Sequence, residues 1–78
     1  MSKNNITLDK LSQGGCAVIL NIKNDCNMRR RFQDLGITKG TNIKCLRENS
    51  QKDFCIYYIR GAQIAIRNID AQNIIILI

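Results

Sequence analysis

The side chains of this chain with chemical potential are four cysteines, six carboxylates and a run of arginines, with no histidine at all. Imidazole is the usual carrier of protons near neutral pH, so acid–base catalysis lacks its commonest agent. The only glutamate, Glu48, sits in a polar loop. The aspartates at 9, 25, 34, 53 and 70 fall in or beside expected turns and helix ends, where a short acidic side chain bonds nearby backbone. No nucleophile has a base partner in view. The pattern points away from an enzyme.

The cysteines stand at 16, 26, 45 and 55, with successive gaps of ten, nineteen and ten. Zinc sites usually show close cysteine pairs or mix in histidine. Ferrous iron outside clusters takes imidazole and carboxylate. An iron–sulfur cluster would need four thiolates gathered in space. No metal ligands, no cofactor and no tight iron binding are therefore expected. Cys16, Cys45 and Cys55 lie in expected strands, where a free cysteine acts as a small core hydrophobe. Cys26 precedes a helix start, which favours thiolate, and is expected to be the most reactive thiol.

Charge is the stronger signal. Twelve Lys+Arg against six Asp+Glu give +6, which suits an acidic partner, nucleic acid or an anionic membrane surface. Arg29, Arg30 and Arg31 spread over the outer arc of an expected helix. With Lys39 and Lys44 they are the candidate partner contacts, although a run of surface charge is ordinarily just a solvated face. Gly36 and Gly40 flank a segment that follows a helix and leads into a strand. That is the reverse of a phosphate-binding loop, so it reads as a turn. Phe54, Tyr57 and Tyr58 could offer a base-stacking surface, but strand alternation sends the two tyrosines to opposite faces.

These residues need elements to hold them. Seventy-eight residues make one domain with one modest core, taken here as residues 1–78. The hydrophobic share is 45%, rich in isoleucine and with 5% aromatics. β-Branched side chains favour strands. Residues 6–11 read as a lead-in, 16–22 as a first strand and 23–25 as a polar turn. Asn27 is a candidate helix cap, and Met28, Phe32 and Leu35 form one apolar helical stripe ended by Gly36. Strands are expected at 41–47, 54–60, 63–67 and 74–78, with a polar hairpin loop at 48–53 and a short turn or helical turn at 68–73. There is no proline, so glycine, asparagine and aspartate must make the turns. The fold class expected is all-β: a small five-stranded barrel with one short α-helix after the first strand. Closure would protect residues 74–78, an aggregation hazard as a free edge.

The start of the chain is polar and shows no apolar signal region, and the longest apolar run, at 74–78, is far too short to span a bilayer. A cytoplasmic protein with reduced thiols is expected.

In this order, the punctuated segments resemble the FeoA family. Leu11-Ser-Gln-Gly14 is similar to the family's opening. Arg30-Arg31-Phe32-Gln-Asp-Leu35-Gly36-Ile37, then Gly40-Thr41, is similar to its best-marked segment. Arg60-Gly61, Ile64-Ala65-Ile66-Arg67, Ala71 and Ile74 are similar to its later strands. The pattern departs where Lys39 and Phe54 replace prolines and where Phe32 and Ile66 replace leucines. The resemblance implies an SH3-like barrel. It also implies a non-catalytic accessory role in bacterial ferrous iron uptake, binding the cytoplasmic side of the FeoB transporter and modulating it. Two other readings stay open: a basic barrel that binds single-stranded nucleic acid, and a stand-alone regulatory barrel like the C-terminal module of metal-dependent repressors.

Overall fold

The computed structural model describes residues 5–23, 27–49, 51 and 53–78. Cys26 and residues 24–25 of the turn expected at 23–25 lie outside them, as do Ser50 and Lys52 of the expected loop at 48–53. The strands are β1 (Asn5–Thr7), β2 (Cys16–Ile22), β3 (Asn42–Glu48), β4 (Phe54–Ile59), β5 (Ala62–Arg67) and β6 (Ile74–Leu77). A short 3-10 helix (Leu8–Lys10) follows β1, α1 (Arg29–Asp34) follows β2, and α2 (Asn68–Ala71) joins β5 to β6. All strand pairs are antiparallel, in the order β1-β6-β2-β3-β4-β5.

The all-β class, a short α-helix after the first long strand and a helical turn within 68–73 are as expected; the strand count is six rather than five. The extra strand is β1, which overlaps the start of the segment read as a lead-in at 6–11. It pairs with β6, Ile6 opposite Ile76. Three residues with one isoleucine carry no period of their own; only the partner strand makes them a strand. β6 thus lies between β1 and β2, so its isoleucine run is not an edge. The two ends of the sheet order are brought near each other where α2 packs on both the 3-10 helix and β5.

One core fills the inside. Its largest fully buried side chains come from the 3-10 helix, β2, the loop after α1, β3, β4 and β6: Leu8, Ile19, Ile37, Ile43, Cys45, Tyr57, Ile59, Ile74 and Ile76. Burying each isoleucine contributes about 1.5–3 kcal/mol relative to leaving it in water.

The helix differs from expectation at both ends. Its N-cap is Met28, with no side-chain cap bond, rather than Asn27, which lies in the preceding turn. At the other end Leu35 is 38% exposed, so the Met28/Phe32/Leu35 stripe is not the buried face. The cause is the C-terminal turn. Gly36 takes φ 92°, its N–H donates to the Gln33 carbonyl, and the Ile37 N–H donates to the Phe32 carbonyl at 2.9 Å. This is a Schellman motif, which brings the residue after the glycine back over the helix. Ile37 and Phe32, both buried, are its apolar pair. Ile37 takes the core place that helical spacing assigned to Leu35.

Candidate functional site

Two regions bring potentially functional side chains together. The first is an open groove on the outer sheet surface. Ile43 and Cys45 of β3, before its irregularity, and the odd-numbered residues of β4 point inward, so Lys44 and Tyr58 point outward. The register aligns Cys16 with Lys44, Lys44 with Tyr58, and Tyr58 with Gln63. This gives one exposed row across four strands. A cavity of about 730 Å³ lies over part of this row, and Val18, Arg60 and Ile78 are among the other residues that line it. Tyr57 is fully buried and Tyr58 is 46% exposed, as alternation predicts. Cys16 departs from expectation. It is exposed rather than a core residue, because the inward parity of β2 falls on Ala17 and Ile19.

The five candidate basic contacts separate. Lys44 lies in the groove. Arg29 and Lys39 line a smaller cavity of about 150 Å³ beside α1, with Asn21 and Gln33. There the Arg29 Nε is buried without a hydrogen-bond partner. Arg30 and Arg31 are exposed on the helix. Among the described residues the one ion pair is Arg67–Asp70 at 2.9 Å, so none of the five is neutralised by a carboxylate. Arg60, a cation the sequence reading did not single out, also reaches the groove. Its Nε donates to the Gly36 carbonyl at 3.2 Å and its terminal nitrogen donates to Thr41 Oγ1 at 3.4 Å. It is engaged as a latch between the β4–β5 turn and the end of α1.

The second region is inside the β3–β4 hairpin. The Sγ atoms of Cys45 and Cys55 and a carboxylate oxygen of Glu48 lie within 4.8 Å of one another. Both cysteines are buried, as expected, and Glu48 is half-buried. A β-bulge makes this meeting possible. Cys45 pairs with Tyr57, but Arg47 pairs with Ile56 and Glu48 with Cys55, so β3 carries one extra residue between 45 and 47. Cys45 and Glu48 are three apart and would face opposite sides of a regular strand. The extra residue reverses the parity and turns both toward Cys55. The Cys55 thiol donates to Asn68 Oδ1 at 3.7 Å, and the Tyr57 hydroxyl donates to the Leu8 carbonyl at 3.5 Å. Burial first, then Cys55 and Glu48, pushes the Cys45 thiol up to about 11. Burial, reinforced by Cys55, also pushes the Tyr57 phenol well above its ordinary value.

Sequence reasoning missed this cluster. Cys45 and Cys55 are ten positions apart, and no glycine or other local signal marks the bulge. The usable hint was that both cysteines flank one hairpin loop. No helix among the described residues is long and apolar enough to cross a membrane.

No curated protein matches the chain in sequence. Solved structures do match its fold. The FeoA-like protein of Clostridium acetobutylicum is 25% identical, with a TM-score of 0.87 over 97% of this chain and 87% of that one. FeoA of Stenotrophomonas maltophilia, solved in complex with zinc and described as a prokaryotic SH3 domain protein, is 19% identical. Its TM-score is 0.81 over 91% of this chain and 88% of that one. A manganese-dependent transcriptional repressor is also 19% identical, with a TM-score of 0.84 over 99% of this chain but only 43% of that one. The model of the FeoA domain matches residues 6–77, so this chain belongs to the FeoA domain family.

Proposed function

We propose that this protein is a non-catalytic accessory factor of ferrous iron uptake, acting on the cytoplasmic side of a FeoB-type transporter. The observation that carries the reading is family membership across residues 6–77. The S. maltophilia relative is put forward as an activating factor for ferrous iron transport. The surface agrees with a protein-binding role: a small barrel with +6 charge, an open groove, and candidate cations that form no ion pair among the described residues. In this reading Arg29, Arg30, Arg31 and Lys39 on the α1 side and Lys44 in the groove make separate contacts with acidic parts of the transporter. The barrel biases the transporter by binding one of its conformations better than another, since equal affinity for both would shift nothing.

A pull-down from membranes of the source organism, with the barrel as bait, tests this. Recovery of a FeoB-type transporter, reduced when Arg29, Arg30 and Arg31 are replaced by alanine, supports both the role and the surface. Recovery of nucleic acid or a soluble regulator in its place overturns the role and leaves the fold intact.

A further inference from the structure

We propose that Cys45, Glu48 and Cys55 form a binding site for one borderline-soft divalent cation of the zinc class, clasping the β3–β4 hairpin from inside. The donor set carries the argument. Two sulfurs and one carboxylate oxygen lie within 4.8 Å of each other. A tetrahedral ion with metal–sulfur bonds of about 2.3 Å needs its sulfurs roughly 3.8 Å apart, so small side-chain rotations suffice. The donors come from paired strands, which fix their backbones.

Burial of two cysteines would by itself need nothing beyond core packing. It does not account for the carboxylate. The bulge aims the chain's only glutamate at the same point as both thiols, although a regular strand would have sent it outward. Three protein ligands leave a fourth position. Water or the Asn68 amide oxygen, already at 3.7 Å from the Cys55 sulfur, fills it.

The charge balances. The ion displaces the two thiol protons to solvent, and two thiolates plus one carboxylate then hold a dication. The site keeps a net charge of −1 before and after, so loading adds no buried charge. Thiolate donors select zinc-class ions over ferrous iron, which also stands lower in the affinity order for divalent metals. The site is thus distinct from any handling of transported iron, and it rests on no assumption about the transporter partner.

Cobalt(II) is the probe, because tetrahedral thiolate coordination gives it visible bands and sulfur-to-metal charge transfer in the near ultraviolet. The full chain, reduced with a phosphine and freed of metal, is titrated with cobalt(II) and then zinc(II). One equivalent of cobalt should give tetrahedral, charge-transfer spectra that zinc abolishes. The Cys16→Ser/Cys26→Ser double variant, which keeps only Cys45 and Cys55, should bind unchanged. Glu48→Gln, a conservative change at a half-exposed position, should bind roughly tenfold or more weakly. Spectra of hydrated octahedral cobalt only, loss of the bands in the double variant, or unchanged affinity in Glu48→Gln would each overturn the site.

Discussion

Arg60 holds Gly36: its Nε donates to the glycine carbonyl at 3.2 Å, and a Cβ placed on Gly36 would lie 2.6 Å from the Arg60 Cδ. The contact joins two turns that both need left-handed backbone. Gly36 has φ 92°, while Arg60 and Gly61 have φ 51° and 84°. Two positive φ values in succession make the β4–β5 connection a type I′ turn, whose twist suits the flanking strands. An arginine there bears strain that glycine or asparagine would not. Its bonds to Gly36 and Thr41 offset that strain.

Gly36→Ala should therefore lower stability by roughly 1–3 kcal/mol, from left-handed strain and from displacing Arg60. In an Arg60→Ala background the displacement is gone and only the strain remains. Urea denaturation of the two single variants and the double should show coupling of about 1 kcal/mol. Strict additivity would mean that the close approach carries no energy.

Thiol labelling of the native, metal-free chain should follow exposure. Cys16 should react fast and Cys45 last, since it is buried and its thiol is pushed up to about 11. Cys26, expected from sequence to be the most reactive, lies outside the described residues; peptide mapping ranks it against Cys16. Early modification of Cys45 would contradict its burial.

The raised Cys45 thiol also sets an alkaline limit. Its folded value, about 11, lies above the ordinary 9.0, so the folded state holds the proton where the unfolded state has lost it. The unfolded state then binds fewer protons, and stability falls as pH rises. The contribution is complete below about pH 9 and is lost progressively up to about pH 11, amounting to roughly 2–3 kcal/mol. Tyr57, also raised, acts in the same direction. Denaturation in chelator at several pH values between 8 and 11 should show this decline, and Cys45→Ala should flatten it. Equal slopes for both proteins would remove Cys45 as the cause.

Core truncation should be costly because the chain is small. Ile43→Ala and Ile76→Ala, both at positions 1% exposed or less, should each cost about 2–5 kcal/mol. Ile69→Ala, at a position 62% exposed, should change stability by less than about 0.5 kcal/mol. Thermal melts of the three variants separate these cases.

Salt separates partner classes at the groove. Complex formation with a protein partner through a few cations should weaken modestly as salt rises. Binding to single-stranded nucleic acid would fall steeply with a slope near −0.7 per neutralised phosphate. Tyr58 and Phe54 are exposed, at 46% and 38%, while Tyr57 is buried, so at most two aromatics could stack on bases. A gel shift over a salt series should therefore show no tight complex at moderate salt.

Composition and punctuation determined the outline of this protein. Isoleucine-rich segments set apart by Gly14-Gly15, Gly36, Gly40 and Gly61 specify short strands. Met28 and Phe32 mark a helix too short to stand alone, and the ordered set resembles one family. These are local facts, held in residue types and small spacings. Pairing decided the rest. β1 is a strand only because β6 lies beside it. Ile37 replaces Leu35 in the core because Gly36 folds the chain back. Cys16 points out, by the parity of its strand. The Cys45–Glu48–Cys55 cluster exists because one extra residue in β3 reverses the side-chain alternation. No residue type announces that bulge. It is fixed by the register between two strands, a property that forms only when distant parts of the chain share one core.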